Sequence, residues 1–343
     1  MKAIRVMVVE DSPVVREWLV HVLESAPGIN VVGTASNGEE AVDAAMRVMP
    51  DVITMDIHMP KMNGLDATRR IMEICPIPIV IVSGSGESND VENTFSALEA
   101  GALAFVPRPP GTGHPDHEAS ARELLNVVKA MSEVKLVRRW PKKSSGAARA
   151  NASLDVAAIG ASTGGPPVLQ TILSMMPKDF PLPVLVVQHM AAGFVKGFAD
   201  WLDQSSALPV AIARNGEAVL PSRAYIAPDG FQMKLEKGGR ISLTTDEPEG
   251  GLRPSVSFLF RSIAANYGNR AVAGLLTGMG RDGAAELAIL KERGAVTFVQ
   301  DRESSVVYGM PGEAIRLNGA NYVLAPEHIA AFLTGMAKKR TAS

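Results

Sequence analysis

Three acidic residues in the first sixty positions have the side chains and spacing that a metal ion requires. Glu10 and Asp11 follow the apolar run IRVMVV (4–9), and Asp56 follows the run DVITM (51–55). The carboxyl ends of neighbouring parallel strands meet at one edge of a sheet, so we expect the three carboxylates to lie together. Such a cluster is repulsive unless a cation neutralises it, although a single Asp at a strand end often caps the next helix. The pattern favours a Mg²⁺ site.

A nucleophile is suggested by the segment GASTGG (160–165), which lies between the apolar strand LDVAAI and a helical pattern from about Pro166. It fits G-x-S-x-G, in which flanking glycines allow a sharp turn that projects the hydroxyl of Ser162 above the sheet. The following helix would offer N–H groups to a developing oxyanion. An anion-binding loop and a purely structural turn have similar glycines and remain alternatives.

A base and an acid for Ser162 can be sought at other strand ends. His189 follows the run PVLVVQ (183–188), and Asp282 lies in a glycine-rich turn after the strand AVAGLL (271–276). The spacing does not decide whether Asp282 orients the base or is an ordinary N-cap, and Asp229 and Asp301 are competing acids. The order Ser, His, Asp also differs from that of the α/β-hydrolases.

The elements that would position these residues alternate between short β-branched runs and amphipathic patterns, which predicts an α/β fold with parallel sheets. Five βα units fill residues 1–131, and a second alternating series follows in residues 154–343. Within the second series, 231–244 is predicted to be a hairpin split by Gly238 and Gly239. We therefore predict two domains, the second also doubly wound and mostly parallel.

Residues 132–153 interrupt the alternation and are interpreted as a basic, flexible interdomain linker. Their net charge is +5, whereas residues 1–131 carry −8 and residues 154–343 carry +1. A nucleic-acid-binding arm is an alternative interpretation of the basic run, but charge runs are usually solvated. A DNA-binding output is disfavoured because the second region is near-neutral and rich in strands, so no nucleic-acid partner is predicted.

Composition excludes several classes of protein. The chain has 343 residues, of which 46% are hydrophobic and 20% charged, so it can form sizeable cores and is not disordered. Cys75 is the only cysteine, which excludes an intrachain disulfide and a cysteine-rich zinc site. Neither a signal peptide nor an apolar run of 18 residues is present, so we predict a cytoplasmic protein without membrane insertion.

The first 131 residues resemble a response-regulator receiver domain, a flavodoxin-like fold with a five-stranded parallel sheet. The resemblance rests on VVEDSPVVR, MDIHMPKMNGLDATR, VSGSG and AFVPRP. It implies that Asp56 accepts a phosphoryl group from a histidine kinase and that Mg²⁺ is required. It also implies that Glu10, Asp11, Asp56 and the backbone carbonyl of His58 bind the metal, and that Ser83 and Phe105 are switch residues. Arg108 stands where the family usually has lysine, and the two are not equivalent.

Nearly the whole chain resembles the CheB family of chemotaxis response-regulator protein-glutamate methylesterases. The motifs are IGASTGG, VVQHM, YIAPDG, PSVSFLF and LLTGMGRDGA. The resemblance implies that Ser162 is the nucleophile, His189 the base and Asp282 the orienting acid. Backbone N–H groups near Thr163 and Met279 are candidates for the oxyanion hole.

The implied substrates are methyl-esterified glutamates on the cytoplasmic helices of chemoreceptors, with glutamine deamidation as a second activity. Ester hydrolysis by a serine requires no organic cofactor. A receiver fused to a nucleotide-binding, oxidoreductase-like domain remains the alternative function.

Overall fold

The computed structural model describes residues 3–84, 88–111, 113–134 and 154–338. The contacts divide the chain into two compact units, Met1–Pro141 and Lys142–Ser343. Residues 135–153, most of the predicted linker, lie outside the described part. Within that part, no helix has both the length and the apolar character needed to cross a lipid bilayer.

The first unit contains five strands and five helices in strict alternation. They are β1 (Ile4–Val9), α1 (Pro13–Glu24), β2 (Ile29–Ala35), α2 (Gly38–Val48), β3 (Val52–Met55), α3 (Gly64–Ile74), β4 (Ile79–Ser83), α4 (Ser88–Glu99), β5 (Ala104–Pro107) and α5 (His117–Ser132). All strand pairs are parallel, in the order β2-β1-β3-β4-β5. This order confirms the predicted flavodoxin-like receiver fold and makes β1 and β3 neighbours.

The second unit is built around a seven-stranded sheet. Its elements are β6 (Val156–Ala161), α6 (Gly165–Ser174), β7 (Val184–Gln188), α7 (Val195–Ser205), β8 (Val210–Ile212), β9 (Ala224–Ile226), β10 (Gln232–Glu236), β11 (Arg240–Thr244), α8 (Val256–Asn266), β12 (Ala271–Leu275), α9 (Ala284–Glu292), β13 (Val296–Gln300), α10 (Met310–Arg316), β14 (Tyr322–Leu324) and α11 (Pro326–Lys338). A short 3₁₀ turn, Gly268–Arg270, precedes β12.

The order of the large sheet is β14-β13-β12-β6-β7-β9-β8, and every pair in it is parallel. After β6, the chain first forms β7, β8 and β9 on one side of this strand. It then forms β12, β13 and β14 on the other side. The boundary between β6 and β12 is therefore a topological switch point, where ligands bind in open α/β sheets. β10 and β11 form the predicted antiparallel hairpin.

Burial explains why these segments form strands. Every residue of β6, β7, β12 and β13 is buried, as expected for parallel strands covered by helices on both faces. The helix α8 packs its apolar stripe of Leu259, Phe260 and Ile263 into the same core. The apolar periodicity of the second region predicts helices near 165–176, 192–204, 254–267, 282–293 and 311–317. It did not identify α11, although its buried residues Ile329, Leu333 and Ala337 recur every four positions.

Candidate active site

The turn that carries Ser162 follows the central strand β6, between β12 and β7. The N–H of Ser162 donates to the carbonyl of Thr277, 3.0 Å away, and the N–H of His189 donates to the carbonyl of Ala161 at 3.0 Å. Gly278 lies directly against the serine, since a Cβ built on it would be 2.6 Å from the Cβ of Ser162. The turns after these three neighbouring strands therefore meet at one sheet edge.

The imidazole of His189 is paired with Asp282. Its Nε2 lies 2.9 Å from Oδ2 of the carboxylate, and both side chains are about nine-tenths buried. An ionised carboxylate only accepts hydrogen bonds, so Nε2–H donates to it and Nδ1 is left free to accept a proton. Of the three acids weighed from the sequence, Asp282 is the one placed against the imidazole of His189.

Asp282 does not cap its own helix. The residue before α9 is Gly283, which has no capping side chain. Instead, Asp282 accepts the N–H groups of Val256 at 2.6 Å and Ser257 at 3.0 Å, and the hydroxyl of Ser255 at 2.9 Å. These groups belong to the N-terminus of α8, whose positive dipole end stabilises a negative charge.

The surroundings of Asp282 keep it ionised. Burial by itself would raise the pKa of this carboxyl, but the hydrogen bond and charge of His189 and the hydrogen bonds from Ser257 outweigh burial. The pKa of Asp282 is consequently held well below its ordinary value. A permanently charged acid can fix the orientation of an imidazole and stabilise it when protonated.

The other two candidate acids have different partners. Asp229 accepts the N–H of Gly193 at 2.9 Å, which ties it to the loop after His189, and burial raises its pKa. Asp301 accepts the N–H of Ser304 at 2.9 Å. Among the described residues, neither carboxylate contacts the imidazole of His189.

Ser162 and His189 are not yet in hydrogen-bonding contact. In the described part of the chain, no hydrogen bond of 3.5 Å or less joins the Ser162 hydroxyl to the imidazole. Catalytic hydrogen bonds are often long without substrate and shorten when it binds. The arrangement therefore places the Ser162 turn and the His189–Asp282 pair at one sheet edge.

Sequence reasoning missed several residues that hold this edge together. Gln188 donates to the carbonyls of Ser162 and His189, and the hydroxyl of Thr277 donates to the carbonyl of Thr163. Ser255 lies within the quoted motif PSVSFLF, where a serine before an apolar run is a typical N-cap signal. Its contact with Asp282 joins residues 27 positions apart, which the local pattern does not reveal.

The acidic cluster of the receiver is also assembled. Glu10, Asp11 and Asp56 offer carboxylate oxygens that all lie within 4.8 Å of one another, the one such group of potential metal ligands among the described residues. Burial and then the charge of Asp56 raise the pKa of Glu10 to about 7. Burial also raises the pKa of Asp56. A hard cation with oxygen ligands fits this donor set because it would relieve the repulsion.

Arg108 already contacts the cluster. Its Nη2 lies 2.9 Å from Oε2 of Glu10 and 3.3 Å from Oδ1 of Asp56. Its positive charge offsets part of the rise that burial causes in the pKa of both carboxyls. Two buried polar atoms at the paired ends of β4 and β5, Nε of Arg108 and Oγ of Ser83, have no hydrogen-bond partner among the described residues. Both groups could donate to an additional oxygen ligand at this sheet edge.

The remaining residues implied by the receiver resemblance occupy the expected elements. His58 is exposed in the loop after β3, Ser83 ends β4, and Phe105 lies in β5. The ring of Phe105 packs edge-on against Phe95, with centroids 6.2 Å apart. These placements are compatible with switch roles, which stay predictions.

Two protein-family models match the chain. The model described as CheB methylesterase matches residues 157–333, and the model described as response regulator receiver domain matches residues 6–113. The first covers more than half of the chain and includes all three residues of the Ser–His–Asp group. The alternative of a nucleotide-binding, oxidoreductase-like second domain is not supported by either match.

Similar proteins extend over almost the full length. A protein-glutamate methylesterase/protein-glutamine glutaminase of Nitrosospira multiformis is 60% identical over 98% of both chains. A protein of the same description from Geobacter metallireducens is 55% identical over 98% of this chain and 100% of that one. The crystal structure of the Thermotoga maritima CheB methylesterase catalytic domain is 38% identical, with a TM-score of 0.52, and covers 54% of this chain and 100% of its own.

Proposed function

The chain belongs to the CheB methylesterase family, and from this we propose that it hydrolyses methyl esters on glutamyl side chains of chemoreceptors. We propose that it also deamidates receptor glutamines. The observation that carries the proposal is the pairing of His189 with Asp282, 2.9 Å apart, beside the turn of Ser162. The glutamyl ester and the glutamine follow from the descriptions of the relatives, and the chemoreceptor that carries them is what the family resemblance implies. The mechanism is argued from these residues.

In the proposed reaction, Nδ1 of His189 takes the proton of Ser162 as its oxygen attacks the ester carbonyl. The tetrahedral intermediate collapses to an acyl-enzyme, and the protonated imidazole gives its proton to the departing methoxide, which leaves as methanol. Water, deprotonated by the same imidazole, then hydrolyses the acyl-enzyme to release the glutamate carboxylate. Ammonia replaces methanol when the substrate is glutamine. Asp282 holds the imidazole in one tautomer throughout.

The oxyanion formed in each tetrahedral intermediate would be stabilised by the N–H groups of Thr163 and Met279. The carbonyl of Gly278 accepts the N–H groups of Gly309 at 3.1 Å and Met310 at 3.0 Å. A trans peptide directs its N–H opposite to its carbonyl, so the Met279 N–H is turned away from these donors. Gly278 packs against Ser162, which keeps this N–H close to the nucleophile.

The mechanism is tested by measuring methanol release from methylated receptor. Ser162→Ala should lower the rate by at least about 10³-fold, and His189→Ala should be similarly damaging. Asp282→Asn should cost on the order of 10³- to 10⁴-fold because the amide favours the wrong tautomer. Ser174→Ala, an exposed serine on α6, is the control and should match the unmodified chain. Near-full activity of Ser162→Ala would exclude the covalent mechanism.

We propose that the receiver accepts a phosphoryl group on Asp56 from a histidine kinase. Glu10, Asp11 and Asp56, with the backbone carbonyl of His58, would hold Mg²⁺, which when bound would neutralise charge at the phosphorylation site. The support is the carboxylate cluster within 4.8 Å and the raised pKa of Glu10. Ser83 and Arg108 would donate to the oxygens of the phosphoryl group, and Phe105 would respond to the change at Ser83.

A small phosphodonor with Mg²⁺ should produce one acid-labile acyl phosphate on the chain. The label should be absent without Mg²⁺ and absent in Asp56→Asn. Asp43→Asn, which changes an exposed carboxylate on α2, should be labelled normally. Efficient labelling of Asp56→Asn on another residue would overturn the assignment.

The division of the chain into a receiver (1–131), a linker (132–153) and a catalytic domain (154–343) is also proposed. It is compatible with the two compact units and with the ranges matched by the two family models. In this proposal the unphosphorylated receiver inhibits the esterase, and phosphorylation of Asp56 relieves the inhibition. A phosphoryl group adds about 1.5 to 2 negative charges, enough to bias a two-state interface.

A further inference from the structure

The carbonyl of the nucleophile is held by a buried amide. Gln188, the last residue of β7, donates from Nε2 to the carbonyl of Ser162 at 2.9 Å and to the carbonyl of His189 at 2.7 Å. Both partners can only accept, so the orientation of the amide is fixed. A Cβ on Gly165 would lie 2.0 Å from Oε1 of this amide, so the start of α6 leaves it no room to turn.

The next carbonyl in the same turn is held from the opposite side. Thr277, fully buried after β12, donates from Oγ1 to the carbonyl of Thr163 at 2.9 Å. The same oxygen accepts the N–H of Val307 at 2.9 Å, and the N–H of Thr277 donates to Gln300 at 2.8 Å. The carbonyl of Val307, 3.2 Å away, is a second acceptor for this hydroxyl, and we assign the proton to the shorter contact with Thr163.

These two contacts determine where two N–H groups point. In a trans peptide the carbonyl and the following N–H point in opposite directions. Holding the carbonyl of Ser162 fixes the N–H of Thr163, and holding the carbonyl of Thr163 fixes the N–H of Gly164. Within the described residues, no hydrogen bond uses either N–H group. The turn thus presents two oriented, unused donors next to the serine.

We propose that Gln188 and Thr277 are positioning residues for the oxyanion hole, and that the N–H of Gly164 is a further donor beside that of Thr163. This inference rests on the proposed role of Ser162 as the nucleophile. A preorganised donor acts only if its direction is fixed before charge develops, because reorientation during the reaction removes the advantage. Neither side chain needs to touch the substrate for this role.

Thr277→Val is the decisive variant because it keeps the shape and removes the hydroxyl. We expect kcat for methanol release to fall about 10- to 100-fold with KM changed less than about twofold, since the donors act on the transition state. Thr277→Ser keeps the hydroxyl and should restore most of the rate. Gln188→Met keeps the length without the donor and carries the same expectation, should Thr277→Val not fold.

Thr297→Val is the matched control. Thr297 is equally buried, and its hydroxyl donates to Asn321 at 2.9 Å near the amino end of β13, away from the catalytic edge. This variant should lose stability as Thr277→Val does but keep kcat. A purely structural role of Thr277 would make the two variants alike in activity.

The second measurement is the affinity for a receptor peptide whose glutamyl side chain ends in a trifluoromethyl ketone instead of a methyl ester. Addition of Ser162 to this ketone gives a tetrahedral oxyanion, so Thr277→Val and Gln188→Met should weaken binding by about the factor lost in kcat/KM. Unchanged affinity and kcat in both variants would overturn the inference while leaving Ser162 as the nucleophile. If Ser162→Ala is also fully active, the proposed function has failed instead.

Discussion

At the scale of single residues, the hydrogen bonds and charge around Asp282 determine its ionisation, and its position in a motif does not. A carboxyl whose pKa is lowered in the folded state adds stability above the unfolded value of 3.8, and this contribution disappears as the pH falls below that value. We expect Asp282→Asn to be less stable than the unmodified chain at neutral pH by about 1–3 kcal/mol. The difference should shrink from about pH 5 to about pH 2.

Hydrogen exchange of the β6 and β12 amides, corrected for the intrinsic rate at each pH, measures the stability difference between Asp282→Asn and the unmodified chain in the second unit alone. Asp203→Asn is a useful comparison, since Asp203 is exposed and, within the part of the chain that the structure describes, accepts the N–H of Val210 alone, 2.7 Å away. A stability difference for Asp282→Asn that stays constant across the acid range would contradict the lowered pKa.

Single residues also show which parts of the site could be predicted from the sequence. The sequence placed His189 at the end of a strand because it directly follows a short apolar run, and strand ends are recognised from such runs. The choice among Asp229, Asp282 and Asp301 could not be made from spacing, since each follows a strand. Sheet order alone does not make the choice either, because the strand before Asp229 adjoins the strand before His189; it rests on the observed contact of 2.9 Å between His189 and Asp282.

At the scale of elements, the N-terminus of α8 holds Asp282, the proposed orienting acid. Ser255 accepts the N–H of Phe258 at 3.4 Å as the N-cap, and the same hydroxyl donates to Asp282. Ser255→Ala should therefore lower the free energy of unfolding by about 1–2 kcal/mol and also reduce kcat, because Asp282 loses one of its donors. Urea unfolding and initial rates of methanol release on the same preparation separate the two effects.

Ser262→Ala on the same helix controls for the loss of a hydroxyl. Its oxygen accepts the N–H of Leu235 at 3.0 Å, on the hairpin and not at Asp282. It should lower stability without lowering kcat. Equal rates for Ser255→Ala and Ser262→Ala would show that the helix cap does not support the acid.

Most elements could be predicted because their apolar periodicity is local. The apolar pattern of residues 64–74 predicts a helix, and α3 has these bounds, Gly64–Ile74. The hairpin of β10 and β11 lies within the predicted 231–244. What the pattern could not supply is long-range pairing, such as Ser255 with Asp282 or Gln188 with Ser162. These contacts depend on which strands become neighbours, and no single window of sequence contains that information.

At the scale of the whole molecule, two sites of different chemistry belong to two separate compact units. The acidic cluster lies at the ends of β1 and β3, whereas the serine site lies at the ends of β6, β7 and β12. Regulation of one by the other therefore requires a change that one unit transmits to the other. The charge added at Asp56 is the proposed source of that change, acting through Ser83 and Arg108.

The last prediction concerns this coupling. The full chain should release methanol several-fold more slowly than the fragment 154–343 on the same receptor, and phosphorylation of the full chain should recover most of the difference. Inhibition by a folded neighbour is a population effect, so a bias of about 1.4 kcal/mol changes the active fraction up to tenfold. Initial rates of the three preparations at equal concentration measure it.

Arg108 offers the internal control for that experiment. Its planar guanidinium contacts Glu10 and Asp56 through one nitrogen, and it can pair with a phosphoryl group without the movement that a compact lysine ammonium would make. The fragment could be faster than the full chain while phosphorylation leaves the rate of the full chain unchanged. In that case Arg108→Lys should restore activation by phosphorylation, up to the rate of the fragment. If the unphosphorylated full chain already equals the fragment, the receiver does not inhibit the esterase, whatever phosphorylation does.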